Sequence, residues 1–259
     1  APAEAERQLA LMAAPPAYVH LERPCRVGDG IEQFSHERLV RLAVTHSMTS
    51  SSHEASVFVP ASGAASRMFK ELLAALARGG SLDPREVRAA AAAGDRDAAA
   101  VVAFVDGLPR FAFEGALDKA LERGGRSLSR LRRDGPWRDL LAAFLESPGL
   151  GYAQSPKGLL AFHREQGRVR TAFVEHLVEA SRLVRDAAGV VKLHFTVSPE
   201  HRTGFATLLA MEAPALEAEL EADFDVHFSE QHPATDTLAG DPAGGPFRDA
   251  SGSLLFRPA

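Results

Sequence analysis

The residues best suited to chemistry lie in the run Val57-Phe-Val-Pro-Ala-Ser-Gly-Ala-Ala-Ser-Arg-Met-Phe-Lys70. Its first three residues are apolar and predict a buried strand. A turn of small residues follows, and Ser66 is expected to open a helix. This arrangement directs free N–H groups and the positive end of a helix dipole at an anion.

The run therefore predicts a phosphate-binding loop. Small side chains let a phosphate approach the backbone, and Arg67 and Lys70 add fixed positive charge. Packing alone is the alternative, because alanine-rich turns also join strands to helices without binding anything. The sequence lacks the Gly-Lys-Ser/Thr ending of a P-loop, the G-x-G-x-x-G dinucleotide pattern and the G-x-S-x-G elbow of a hydrolase. The predicted loop residues are Ala61, Ser62, Gly63, Ala64 and Ser66.

A second candidate lies in the segment from Ser155 to His163. Lys157 stands between Pro156 and Gly158 in a predicted loop, where an ammonium group can act as a point charge for phosphate. The alternative is an ordinary turn lysine. His163 could line the same pocket or serve structure alone.

Two predicted strand ends complete the candidate site. Val190 to Val197 forms a strand that leads into Ser198, which is predicted to cap the helix that follows. The next strand ends before Gln231 and Pro233. Because ligands of open α/β sheets bind at the carboxyl ends of the strands, we expect these residues at one edge with the loop. The Gln231 amide can both donate to and accept from a pyrimidine.

The residues between the two loops read as helices. A helix beginning at Asp83-Pro84 has strong start signals, further helices are expected at 95–106, 116–123 and 137–145, and no strand interrupts them. We predict three regions. They are N-terminal helices with the first strand and loop (1–80), a helical insertion (81–150) and the continuation of the α/β core (151–259).

The amino-acid composition excludes several classes of protein. The chain has 259 residues, 46% of them hydrophobic, which is enough for one large core or a core with a lobe. A net charge of −5 argues against a nucleic-acid surface. The single cysteine, Cys25, excludes an internal disulfide. Without an apolar run of membrane length, and without a signal-peptide pattern, we expect a cytoplasmic protein that does not bind membranes.

The stretch from Phe58 to Lys70 resembles an uncharacterised bacterial family, domain of unknown function 4301. Ala61 to Arg67 also resembles the Ala-Gly-Gly-x-Gly-Thr-Arg loop of nucleotide-sugar pyrophosphorylases, with Ala65 in place of its last glycine. Pro156-Lys157-Gly158 is similar to their Pro-Lys-Gly motif. The strand end at Ser198 and the Phe-x-x-Gln ending at Gln231 follow in the same order.

The resemblance implies a Rossmann-like, mostly parallel three-layer α/β/α sheet of the nucleotidyltransferase type. It implies transfer of a nucleotidyl group from a nucleoside triphosphate, UTP favoured, to a sugar 1-phosphate, with Mg²⁺ as cofactor. Arg67 would hold the leaving pyrophosphate, Lys157 would neutralise the α-phosphate, and Gln231 would read the base. The alternatives are a nucleotide-binding protein without transfer activity, which Ala65 favours, and a glycosyltransferase of the same fold. The oligomeric state stays open.

We also expect the chain to be an incomplete enzyme. It ends at Ala259, directly after a predicted return strand. In the resembled family a Gly-His-Gly segment and an Asp-Asn pair follow, so Mg²⁺ ligands are expected beyond residue 259.

Overall fold

The computed structural model describes residues 2–14, 18–50, 54–63, 65, 67–241 and 244–257. These residues form a mixed α/β protein, as the sequence predicts, and contain no helix with the length and hydropathy to cross a bilayer. The α-helices are α1 (Pro2–Ala13), α2 (His36–Ser50), α3 (Lys70–Ala77), α4 (Pro84–Ala92), α5 (Arg96–Gly107), α6 (Glu114–Arg123), α7 (Leu128–Asp134), α8 (Trp137–Leu145), α9 (Ala172–Leu183) and α10 (Arg202–Leu220). The strands are β1 (Arg26–Val27), β2 (Gly30–Ile31), β3 (Ser56–Pro60), β4 (Ala161–Glu165), β5 (Arg168–Thr171), β6 (Val190–Val197), β7 (Asp223–Glu230), β8 (Thr237–Leu238) and β9 (Phe256–Arg257).

The chain divides into two compact units. We call Ser56–Arg185 with Gly189–Ser229 the central unit, and Ala1–Ala55 with Asp186–Ala188 and Glu230–Ala259 the terminal unit. Each is described by itself.

The terminal unit is held together at α1 and β8. The Gln8 side chain donates to the Asp236 carbonyl at 3.0 Å and accepts from the Leu238 N–H at 2.7 Å. Strands β8 and β9 pair antiparallel, and a turn at Asp249 closes the predicted hairpin through the Arg248–Leu254 bridge.

The main sheet of the central unit has the strand order β3-β6-β7 within the described chain. Strands β3 and β6 run parallel, with Ser56 opposite Lys192 and Pro60 opposite Thr196. The Thr196 hydroxyl lies 2.9 Å from that of Ser229, so β6 and β7 also end on the same side. The predicted strand at 57–59 is confirmed, but it is only half-buried, because Phe58 is 64% exposed on the face opposite the core.

Two hydrophobic cores fill the central unit. The helical core lies among α3 to α8 and contains Trp137, Phe113 and Phe144, all at most 2% exposed. The sheet core lies between β6 and the helices α9 and α10. Its central ring is Phe173, whose centroid lies 4.6 Å from that of Phe195 and 5.4 Å from that of Phe205. The regular elements between residues 81 and 147 are all helices, and they lie within the predicted helical insertion (81–150).

Two elements of the central unit differ from the sequence prediction. Helix α7 was not predicted, although Ser127 caps it by accepting the Arg130 N–H at 3.4 Å. The apolar spacing from Val169 to Ala187 predicts an amphipathic helix, but α9 begins at Ala172, because β4 and β5 form an antiparallel hairpin before it. Its turn consists of Gln166 and Gly167, both with positive φ, the geometry that a two-residue hairpin requires.

Tyr152 provides a test of how the helical core is joined to β4. Its hydroxyl accepts the Ala161 N–H at 3.2 Å, and burial raises the pKa of this phenol. Tyr152→Phe should lower the free energy of unfolding by about 1 kcal/mol, because the amide loses its partner. Denaturant titration measures this, and Tyr18→Phe, at a residue 87% exposed, should change nothing.

The raised pKa also gives a pH dependence. The unfolded chain ionises this phenol at lower pH than the folded chain, so its contribution to stability should be present below pH 10 and be lost as the pH rises further. In the Tyr18→Phe variant, Tyr152 is the only tyrosine left. Tyrosinate absorbance should then develop at higher pH in the folded protein than in denaturant, and coincident curves would contradict the burial argument.

Candidate anion-binding site

Backbone hydrogen bonds join the two segments that the sequence singled out. The Lys157 N–H donates to the Gly63 carbonyl at 3.1 Å, and the Ala65 N–H donates to the Ser155 carbonyl at 3.3 Å. About ninety residues of helical chain separate the segments, so this meeting is a property of the tertiary fold. We call residues 61–67 the first loop and residues 155–159 the second loop.

The first loop also continues from the sheet edge. The Ala61 N–H donates to the Thr196 carbonyl at 2.7 Å, one step beyond the last paired residue of β3. The loop therefore leaves the sheet at the carboxyl ends of two parallel strands. This is the edge at which open α/β sheets bind ligands.

The helix after the first loop begins later than predicted, because the described residues that follow Ser66 form a turn. Helix α3 begins at Lys70, after a turn in which the Met68 N–H donates to the Ala65 carbonyl at 2.8 Å. The backbone of Ala65 is used for the loop contact, and the buried Phe69 anchors the helix start against Phe144. The described part of the loop thus does not present a helix N-terminus, and Ala64 and Ser66 lie outside the described residues.

The loop nevertheless carries unused donors and charges. In the described chain, the N–H groups of Ser62 and Gly63 have no hydrogen-bond partner. The exposed side chains of Arg67, Lys70 and Lys157 form no ion pair with any described carboxylate. Unpaired cations beside free N–H groups favour an anion.

Lys157 belongs to a short 3₁₀-helix, Lys157–Leu159, where the sequence predicted an open loop. This helix packs on the start of α10. A Cβ atom on Gly158 would lie 2.8 Å from the Phe205 ring, and one on Gly204 would lie 2.9 Å from Leu159. Glycine at both positions lets the second loop sit directly on the sheet core.

A cavity of about 230 Å³ opens beside the two loops. Its walls are mainly apolar, and Lys157 and His176 are the polar side chains among the described residues that line it. His176 lies on α9 and was missed in the sequence, because a histidine in an amphipathic helix carries no local signal. The lining also includes Val59, Pro60, Ala61, Gly63, Gly158, Ala172, Phe173, Phe195 and Phe205.

Ser198 follows β6 at the same sheet edge. It is 5% exposed, and its hydroxyl has no hydrogen-bond partner among the described residues. The predicted N-cap hydrogen bond is therefore not formed, since the 3₁₀-helix Pro199–His201 comes between Ser198 and α10. A buried hydroxyl without a partner costs free energy, and such groups are rare in folded proteins.

Gln231 and Pro233 belong to the terminal unit. The Gln231 amide donates to the Thr235 hydroxyl at 3.3 Å, and Pro233 begins a 3₁₀-helix. Their predicted role in base recognition stays a prediction.

The described residues do not fit the Mg²⁺ that the resemblance implies. No carboxylate lines the cavity. One group of side chains is close enough together to hold a cation, namely His163, Glu165 and Glu175. The Arg170 guanidinium lies 3.0 Å from the Glu165 carboxylate and 3.7 Å from the Glu175 carboxylate. This arginine already forms ion pairs with both carboxylates, and Mg²⁺ prefers oxygen ligands to histidine.

Fold and site together define a mixed α/β protein with a candidate anion-binding edge on a parallel sheet. The family model described as "Domain of unknown function (DUF4301)" matches residues 1–259. The chain belongs to this family, which confirms the predicted membership. No curated protein and no solved structure matches the chain, and the nucleotidyltransferase resemblance stays a prediction.

The unpaired hydroxyl predicts an unusual stability change. Ser198→Ala should raise the free energy of unfolding of the ligand-free protein by about 1 kcal/mol, because it removes a desolvated group without a partner. Ser181→Ala is the matched control. That hydroxyl is also buried but donates to the Val178 carbonyl at 2.7 Å, so its removal should destabilise. Thermal melts that show loss of stability in both variants would contradict the assignment.

Gly158 tests the packing of the second loop. Gly158→Ala should destabilise the protein by about 1–3 kcal/mol, because the new methyl group meets a ring that is fully buried. Gly115→Ala, in the exposed start of α6 with nothing near its Cβ position, should be neutral or slightly stabilising. Equal melting temperatures for the two variants would show that Phe205 moves freely.

Proposed function

We propose that the protein binds a nucleoside triphosphate at the two loops and transfers its nucleotidyl group to a sugar 1-phosphate, releasing pyrophosphate. UTP is the favoured donor. The observation that carries the proposal is the pair of backbone hydrogen bonds joining the first and second loops. These are the two segments that resemble the phosphate-contacting motifs of nucleotide-sugar pyrophosphorylases.

The chemistry needs no covalent intermediate. An oxygen of the sugar phosphate attacks the α-phosphorus, and the bond from that phosphorus to the pyrophosphate oxygen breaks. Catalysis then depends on alignment and on neutralising charge. In this proposal Arg67 holds the leaving pyrophosphate, Lys157 neutralises the α-phosphate, and the Ser62 and Gly63 N–H groups donate to phosphate oxygens.

The unpaired Ser198 hydroxyl supports a polar ligand at this edge. Ser198 directly follows β6 and comes two residues after Thr196, whose carbonyl accepts the Ala61 N–H of the first loop. A phosphate or ribose oxygen is the kind of partner that would satisfy it. Mg²⁺ carried by the triphosphate belongs to the proposal, but no described carboxylate is assigned to it and no step depends on it.

The proposal also extends the observed sheet. The three parallel strands would be part of a larger nucleotidyltransferase-type sheet with helices on both faces. The reaction would take place in the cytoplasm, where nucleoside triphosphates are available.

A second candidate function is nucleotide binding without transfer. The absence of any carboxylate among the described cavity residues favours it, because a metal-assisted transfer needs such ligands. Pyrophosphate release separates the two functions.

Arg67→Ala and Lys157→Ala should each lower the rate of pyrophosphate release from UTP and a sugar 1-phosphate by about 100-fold, since each removes a charge that faces the transition state. Melting temperatures should stay near that of the wild type, because both side chains are exposed. The measurement is a coupled pyrophosphate assay across a panel of sugar phosphates.

The matched controls are Arg130→Ala and Lys119→Ala, which remove exposed cations on the helices α7 and α6. They should keep full activity. Saturable UTP binding without pyrophosphate release from any sugar phosphate would favour the binding function. Full activity in the Arg67 and Lys157 variants would remove these residues from the mechanism.

A further inference from the structure

The cavity beside the loops has a chemistry unlike that of the loops themselves. Among the described residues that line it, Lys157 at the second loop supplies a positive charge, His176 supplies an imidazole, and the others are apolar or glycine. A polyphosphate would lose its hydration against such walls without gaining partners. The phosphates therefore suit the loops, and the cavity suits an uncharged part of the same ligand.

The volume limits what the cavity can hold. At about 230 Å³ it is smaller than the sites that take whole drug-sized ligands, which start at about 300 Å³. A single ring fits this space better than a complete nucleoside or a fused ring system.

His176 supplies one defined hydrogen-bonding atom. Its Nδ1 lies 3.5 Å from the Glu179 carboxylate, and its ring meets that of Phe195 at 61° with centroids 6.2 Å apart. Nδ1 is thus the ring nitrogen on the side of the carboxylate, and Nε2 is the other one. Among the described residues, Nε2 has no hydrogen-bond partner.

We propose that this cavity holds the base of the nucleotide and that His176 Nε2 accepts the ring N–H of uracil. Uracil carries a proton on N3, whereas cytosine presents a lone pair at the same position. Two lone pairs facing each other repel, so the histidine selects uridine over cytidine nucleotides. This inference rests on the proposed function and gives it a specificity-determining residue within the central unit.

The test is the ratio of UTP to CTP affinity, measured by titration calorimetry on the whole chain. The wild type should prefer UTP by about 10-fold, the cost of one unmatched hydrogen bond. His176→Phe should bring the ratio within about 2-fold. His176→Gln should also lower it, because a side-chain amide can turn to pair with either base. Pyrophosphate affinity should be unchanged in both variants.

His163→Phe is the matched control. His163 also places Nδ1 beside a glutamate, 2.6 Å from Glu175, but it does not line the cavity. This variant should keep the UTP preference. Gln231→Ala tests the alternative reader of the base that the resemblance implies.

The outcomes separate the inference from the proposed function. If the wild type binds neither UTP nor pyrophosphate, the proposed function fails and the inference with it. If UTP and pyrophosphate bind but both His176 variants keep the UTP preference, only the inference is overturned. Loss of the preference in Gln231→Ala alone would assign base recognition to the terminal unit instead.

Discussion

The central unit depends on the contact between its two loops. Each loop donates one backbone N–H to a carbonyl of the other. The Lys157 N–H donates to Gly63, and the Ala65 N–H donates to Ser155. Ala65 is fully buried, so breaking its bond would leave a polar group without water or partner. Any rearrangement of one loop therefore has to move the other.

The same contact joins the two hydrophobic cores. Each loop passes from one core to the other within a few residues. In the first loop, Ala61 packs on the sheet core and Ala65 lies in the helical core. At the end of the second loop, Leu159 packs on the sheet core, and the next residue, Leu160, lies in the helical core. The helices between the loops thus act as a folded spacer whose packing decides where Lys157 meets the sheet edge. Aromatic contacts such as Phe113 to Phe144, at 4.8 Å, make that spacer rigid.

The sequence predicts those parts of the fold that depend on neighbouring residues. Asp83 caps α4 by accepting the Arg85 N–H at 2.8 Å, and helix α8 spans Trp137–Leu145 as its apolar spacing indicates. The start of α3 could not be predicted, because it is set by a hydrogen bond from Ala65 to a residue ninety positions later. Local signals after the small-residue turn predict an earlier helix start than the structure has. The hairpin of β4 and β5 could have been predicted from the sequence, because Gln166-Gly167 is a recognisable two-residue turn.

In the candidate site, too, some features follow from the local sequence and others depend on the tertiary fold. The types and order of Gly63, Lys157 and Ser198 pointed to one sheet edge, and the structure brings the first two into direct backbone contact there. His176 could not be found from the sequence, because its place in the cavity depends on how α9 lies against β6. Membership of the family gives no chemistry by itself, so the assignment of function rests on the site.

Several polar and charged groups at this edge add nothing to the stability of the ligand-free chain. The fold keeps a buried hydroxyl without a partner at Ser198, and it keeps Arg67 and Lys157 without any described counter-ion. None of these groups stabilises the ligand-free chain, and a chain with alanine at each position would fold as well or better. Some exposed arginines elsewhere in the central unit do form ion pairs, as Arg88 does with Asp106 at 2.6 Å. Groups left unsatisfied together at one sheet edge are consistent with a ligand that satisfies them together, and an anion with polar oxygens is the chemistry that would do so.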